Sequence, residues 1–214
     1  MTVEVFNWET AHLFGDALPS QHRLRRQLFI DRQSYQVPVY NELEYDQYDT
    51  PAATYVVRRD DSGVVRAVNR LIPSAMPYMI KDLWPDVVER CPVPSSWDVW
   101  ESSRFGVDNT LDPATRDRYL SELLCGIIEF GLARGVSWYL AILTAPLIKR
   151  SLIATGLDVE VLGQPRAIGN SPPAAPIRVN VTRASLAEMY RRKGVAGPVL
   201  SPVGQAEMMR GVAA

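Results

Sequence analysis

A chain of 214 residues, 47% apolar and 22% charged, has room for one substantial core and the composition of an ordinary globular protein. Its net charge of −1 supplies no long-range positive field, which argues against general binding to nucleic acid or to a membrane surface. Two cysteines, Cys91 and Cys125, are too few for a disulfide framework and share no metal-ligand spacing with His12 or His22, so no metal site is expected and a reducing compartment fits.

Met1–Trp8 lacks a basic segment followed by an apolar run, and no window reaches the roughly 18 apolar residues of a membrane span. The expectation is a cytoplasmic protein. Thr2–Phe6 alternates as a short strand, and Trp8–Leu18 reads as a helix that stops before Pro19. Ser20 is a fair N-cap for a helix from Gln21 to Ile30, where the pairs Leu24/Leu28 and Arg25/Phe29 form two adjacent stripes. Four arginines lie between positions 23 and 32. The usual fate of such a run is a solvated basic face.

Ser34–Pro51 follows neither period. Tyr35, Tyr40, Tyr45 and Tyr48 interleave there with Glu42, Glu44, Asp46 and Asp49, which suggests a long ordered loop whose acidity complements the basic helix. Thr54–Arg59 and Val64–Leu71 read as a hairpin around Asp60-Asp61-Ser62-Gly63, with Arg70 closing its second strand. Met79–Glu89 holds a short helix with Leu83 and Trp84, interrupted by Pro85.

Val99-Trp100-Glu101-Ser102-Ser103-Arg104-Phe105-Gly106 is the central strand. On a regular strand Glu101 and Arg104 point to opposite faces, and two buried charges so placed are costly without partners. Either a bulge re-aims one of them or each face carries its own polar site. A salt-bridged edge strand is the plainer alternative.

Asp112-Pro113 starts the main buried helix, in which Tyr119, Leu120, Leu123, Leu124, Ile127 and Ile128 recur at helical spacing before the Gly135 cap. Trp138–Leu143 is an apolar strand, and Thr144 and Pro146 open a helix that closes at Gly156. Val159–Leu162 and Ile177–Val181 are strands on either side of a proline-rich connection, Ser185–Lys193 is a last helix, and Gly194–Ala214 reads as a frayed tail. The order predicts one α/β domain over residues 1–214, a mixed sheet with helices on both faces.

Arg25, Phe29, Tyr35, Asp46, Asp49, Arg70, Trp84, Glu101 and Arg104 form a charge-balanced, aromatic set. If they converge, arginines would hold a carboxylate, acids an ammonium, and aromatic faces an onium centre. Their order and gaps, ending in Glu101-Ser102-Ser103-Arg104-Phe105, resemble the acyl-homoserine-lactone synthases, which make quorum-sensing autoinducers. The resemblance runs from about Arg23 to Gly106 and continues as a general helix–strand pattern to about Gly156. Tyr35 stands where the family usually has tryptophan, and Trp84 where it usually has phenylalanine.

The resemblance implies an N-acetyltransferase-like three-layer sandwich in which two strands, here Val99–Gly106 and Trp138–Leu143, splay to admit an acyl donor. It implies acyl transfer to the amine of S-adenosylmethionine from a thioester on acyl carrier protein or coenzyme A. Lactone closure and release of methylthioadenosine follow. S-adenosylmethionine is then a substrate, and no cofactor is implied. Glu101 is the first candidate base, with Arg104, Asp46 and Asp49 in the catalytic charge cluster. Arg25, Phe29, Tyr35, Arg70, Trp84, Ser103 and Phe105 would form the S-adenosylmethionine pocket. Backbone N–H groups beside Arg104–Phe105 would meet the oxyanion. The acyl tail would lie near Leu140, Ile142 and Thr144, under the buried helix. Lys149, Arg150, Arg116 and Arg118 are candidates for docking a carrier protein. The alternatives are an ordinary coenzyme-A-dependent N-acyltransferase, whose glycine-rich pyrophosphate turn is not found at Gly106–Asp108, and a non-catalytic ligand-binding module on the same fold.

Overall fold

The structure, a computed structural model, describes residues 3–31, 37–168 and 172–203. Strands β1 (Val3–Asn7), β4 (Thr54–Arg59), β5 (Val65–Pro73), β6 (Val99–Val107), β7 (Trp138–Thr144), β8 (Val159–Val161) and β9 (Ala174–Asn180) form one sheet. The strand order is β1-β4-β5-β6-β7-β9-β8. Only β6 and β7 run parallel; the other neighbours are antiparallel. A separate hairpin joins β2 (Val39–Tyr40) to β3 (Leu43–Glu44) through Asn41 and Glu42, both at positive φ.

Period-two alternation divides the apolar residues between two faces. Val5, Val56 and Leu71 pack with Leu123, Ile127 and Ile128 of α3 (Pro113–Arg134) and Met189 of α5 (Arg183–Lys193). Val57, Val68 and Ile72 pack on the other face with Leu24 of α1 (Ala17–Arg25) and Ile80 of α2 (Met79–Leu83). The result is the expected three-layer sandwich.

Two local features position the site. The first is a bulge in β6. Val68 pairs with Gly106 and Arg70 with Ser103, so Arg104 and Phe105 stand opposite the single residue Asn69. Arg104 takes a left-handed φ of 54°, and Asn69 knits the irregularity by donating to Ser103 O at 2.8 Å and accepting from Ser102 Oγ at 3.1 Å. Gly106 lets α1's extension approach, since a Cβ there would lie 2.5 Å from Leu28 Cδ1. The second feature is a fork. The β6–β7 ladder covers only Val99–Glu101 against Trp138–Leu140, and beyond it the strands part. A bulge bends the strand that carries it, so the two features belong together.

Several segments differ from expectation. Trp8–Leu18 is not one helix. Ala11–Phe14 forms a 3-10 turn, Gly15 breaks it at φ 58°, and α1 starts at Ala17 with Pro19 in its first turn, where no amide is needed. Ser20 is therefore inside the helix, and its Oγ accepts from Val65 N at 2.9 Å. After Arg25 the coil widens to a π-type turn, Arg26–Asp31. The segment from Thr144 to Gly156 is broken into α4 (Ala145–Leu147), a π-type turn (Ile148–Leu152) and a 3-10 turn (Ile153–Thr155). Strand β9 begins at Ala174, three residues before Ile177. Part of the tail read as frayed is tied down. Val199 O and Ser201 N bond Val3 at 3.0 and 2.8 Å, and Glu129 of α3 accepts from Val199 N at 2.9 Å. The residues so tied, Val199–Ser201, are too short a run to register as a period.

Candidate active site

The site forms where α1, the β2–β3 hairpin and the loop after it meet the bulged end of β6. Arg25 and Arg70 are each 0% exposed, contrary to a solvated basic face at position 25. Arg25 donates through Nη1 and Nη2 to the two Asp49 oxygens at 2.7 and 2.8 Å, a bidentate fork, and through Nε to Glu44. Arg70 donates from Nη1 to Asp46 at 2.5 Å and to Asp49 at 3.1 Å, and from Nε to Ser103 Oγ at 3.2 Å. Arg104 donates from Nε to Glu44 at 3.1 Å, and its Nη2 lies 2.6 Å from Asp46 Oδ2. Its guanidinium also stands 5.4 Å from the centre of the Phe29 ring. The bulge settles the question of faces: it turns Arg104 onto the side that carries Glu101 and Ser103.

Glu44 is the member that the sequence did not single out. It is 0% exposed and bridges Arg25 to Arg104. Sequence carried only half a signal for it: Asn41 suits a positive-φ turn position, but Glu42, also at positive φ, does not, so the hairpin that delivers Glu44 was not legible.

The charges set the protonation states. Burial alone would raise the Asp49 pKa, but the hydrogen bonds and charge of Arg25 hold it well below the usual carboxylate range, with Arg70 adding to the effect. Asp46 is likewise lowered, burial being outweighed by Arg70 and Arg104. Glu101 moves the other way. Burial raises its pKa, and the Ile80 N–H and the Arg70 charge offset that only in part. His22, behind the cluster, is lowered to about 4 by burial and by Arg25; its Nδ1 lies 2.7 Å from Glu44 O, and its ring stacks on Tyr45.

Glu101 Oε1 accepts from Ile80 N at 2.8 Å, in the first turn of α2, and Ser103 and the Met79 N–H also favour its ionised form. Among the described residues, Glu101 Oε2 and Arg70 Nη2 are buried without a hydrogen bond of ordinary geometry. Both lie one layer behind an open pocket of about 560 Å³ lined by Asp46, Tyr48, Ile80, Trp84, Ser103 and Phe105, among others. That size is typical of small-molecule sites. Phe29, Arg104, Ile142 and Thr144 also line it. Leu140 does not: it is fully buried in the core on the α1 face. Tyr35 lies outside the described residues. Lys149 and Arg150 are exposed just after Leu147, which lines the pocket, whereas Arg118 lines a separate groove with Lys193–Val199.

Through the fork between β6 and β7 the pocket adjoins a second, apolar cavity of about 30 Å³ beneath α3. Ser102, Phe105 and Leu143 line both. On β7 the residues that face this cavity are Tyr139, Ala141 and Leu143, not the alternate set Leu140, Ile142 and Thr144 that was expected under the buried helix. Among the described residues no group of His, Cys, Asp or Glu is placed to hold a metal ion, and no helix is long and apolar enough to cross a membrane.

Residues 12–188 match the family model described as autoinducer synthase. The chain belongs to the autoinducer synthase family. A relative from Agrobacterium fabrum, an acyl-homoserine-lactone synthase, is 33% identical over 178 residues, covering 80% of this chain and 82% of that one. The fold matches a CoA-dependent acyl-homoserine lactone synthase, BjaI, solved with SAM and isopentyl-CoA, at a TM-score of 0.83 over 98% of this chain and 99% of that one, with 23% identity. It also matches an N-acetyltransferase fold from Lactobacillus plantarum at a TM-score of 0.55 and 13% identity, over 85% of this chain and 100% of that one. The expected acyltransferase family and its sandwich fold are both borne out. Within this autoinducer synthase the arginine–carboxylate cluster now has a geometry in which roles can be argued.

Proposed function

We propose that the open pocket binds S-adenosylmethionine and that the chain acylates its α-amine from an acyl thioester, then releases methylthioadenosine as the lactone closes. The observation that carries this is the pair of buried atoms without an ordinary hydrogen bond, Glu101 Oε2 and Arg70 Nη2, behind the pocket. A native protein seldom leaves such atoms unmatched, and an α-amino acid in the pocket offers the complement to both over a bridging water: an ammonium for the carboxylate and a carboxylate for the guanidinium. Three guanidiniums face four carboxyl groups in the cluster, which leaves one negative charge over when all are ionised. S-adenosylmethionine, with ammonium, sulfonium and carboxylate, carries one net positive charge.

The α-amine has a pKa near ~7.7–8.0, so at neutral pH most of it is protonated and cannot attack. Glu101 takes that proton. Because its side chain lies a layer behind the pocket wall, the proton travels over a bridging water, and the burial that raises its pKa makes it a better base. The amine then attacks the thioester carbonyl. The β7 ladder ends at Glu101, so peptide N–H groups on that edge of β6 near Arg104–Phe105 are not taken up by β7 and suit the oxyanion. Collapse expels the thiol. The methionine carboxylate, steered by Arg70, next attacks its own γ-carbon and displaces methylthioadenosine.

Incubation with S-adenosylmethionine and a panel of acyl-CoA and acyl carrier protein thioesters should release methylthioadenosine and yield a lactone detectable by mass spectrometry. Folded protein that gives neither with any donor would refute the assignment.

A further inference from the structure

The apolar cavity beyond the fork is small and lined by the protein's own core, and its size bears on which acyl group this chain takes. Its lining includes Leu124, Ile127 and Ile128 of α3 together with Leu152 and Leu157, and neither of these last two lines the open pocket. All five are at most 6% exposed, so the walls they form are packed side chain and not a route to solvent. Its volume of about 30 Å³ corresponds to about two or three water-sized groups, well short of the ~150 Å³ that accepts a benzene ring. Its polar lining groups are already engaged. Ser102 Oγ donates to Asn69 Oδ1 at 3.1 Å, and Tyr139 OH donates to Ile127 O at 2.9 Å.

Resting on the synthase assignment above, we infer that this chain is a short-chain enzyme, taking unsubstituted aliphatic acyl groups of about four to six carbons, with Leu152 and Leu157 as the stop. The thioester carbonyl and the first carbons occupy the gap between β6 and β7, where Ser102, Phe105 and Leu143 line both spaces. The last two or three carbons fill the cavity. A longer tail meets the Leu152–Leu157 wall, and the first methylene that cannot be seated costs about tenfold in kcat/KM, with further ones adding to the loss. An oxygenated tail finds no free donor there and leaves its own oxygen unpaired in an apolar space.

The test is kcat/KM for methylthioadenosine release with straight-chain acyl thioesters from butanoyl to dodecanoyl, each offered on coenzyme A and on acyl carrier protein. The expected profile peaks between butanoyl and hexanoyl and falls by at least about a hundredfold at dodecanoyl, whichever carrier is used. Leu152→Ala, which enlarges the cavity, moves the peak of the profile to longer chains. A wild-type peak at octanoyl or longer would overturn the inference and leave the synthase assignment standing. So would a folded Leu152→Ala variant with an unmoved profile. No release with any thioester would overturn both. The wild-type profile decides the matter even where the variant fails to fold.

Discussion

Replacing Glu44 by alanine tests the site where tertiary structure adds most. Glu44 is 0% exposed, and its two oxygens serve two guanidiniums, Arg25 Nε on one and Arg104 Nε at 3.1 Å on the other. Removing one side of a buried ion pair costs about 3–5 kcal/mol, because the partner's charge stays buried without its counter-ion. Here each arginine keeps a second carboxylate, Asp49 for Arg25 and Asp46 for Arg104, which puts the expected loss near the lower end, about 3 kcal/mol. For a chain of this length that lowers Tm by about 6–12 °C. Urea denaturation should show a lower midpoint at unchanged slope, since the surface exposed on unfolding stays the same. Glu44→Gln retains an acceptor for one guanidinium and should cost about half as much. If Glu44→Ala fell within the ~0.5 kcal/mol of an ordinary surface change, the bridging role drawn for it would be wrong.

Glu101→Gln should lower kcat for methylthioadenosine release by about 10²–10⁴-fold while calorimetric binding of S-adenosylmethionine weakens far less; unchanged turnover would remove Glu101 from the base role. His22, lowered to about 4 in the fold against 6.5 unfolded, contributes stability that is fully present above pH 6.5 and lost as pH falls toward 4, by about 3 kcal/mol. Glu101, raised by burial, acts in the opposite sense, so the readout is the difference between wild type and His22→Asn in urea melts across pH 4–7. Parallel curves over that range would contradict the assignment. Asp112→Ala removes the cap that accepts from Ala114 N and Thr115 N at 3.0 and 3.1 Å, and should cost about 1 kcal/mol in the same melts with activity untouched; no loss would show the cap to be idle.

Much of the scaffold was legible because its signals are local. The Asp112-Pro113 start and Gly135 stop fix α3, Asp60–Gly63 fixes the β4–β5 hairpin, and alternation fixes the strands. Thr144 and Gly156 do bound their segment, and only its break into three turns was not foreseen. The helix boundary near Pro19 was misplaced. Proline is excluded from helix interiors but tolerated in first turns, and choosing between these needs the neighbouring packing. The tail from Val199 to Ser201 was invisible for a different reason: its partners, Val3 and Glu129, are remote in sequence.

The site divides in the same way. Residue types and gaps alone determined that Arg25, Asp46, Asp49, Arg70, Glu101 and Arg104 belong to one family pattern, since a motif is a property of the chain. Whether Glu101 and Arg104 share a face could not be read there, because strand alternation puts them apart and only the bulge opposite Asn69 brings them together. Glu44, the two atoms lacking an ordinary hydrogen bond and the apolar cavity likewise exist only once β6 and β7 have parted and α1, α2 and α3 have packed around them. Sequence carries the chemistry of each side chain, but which charges meet, and how much room is left beside them, is fixed by packing between segments far apart in the chain.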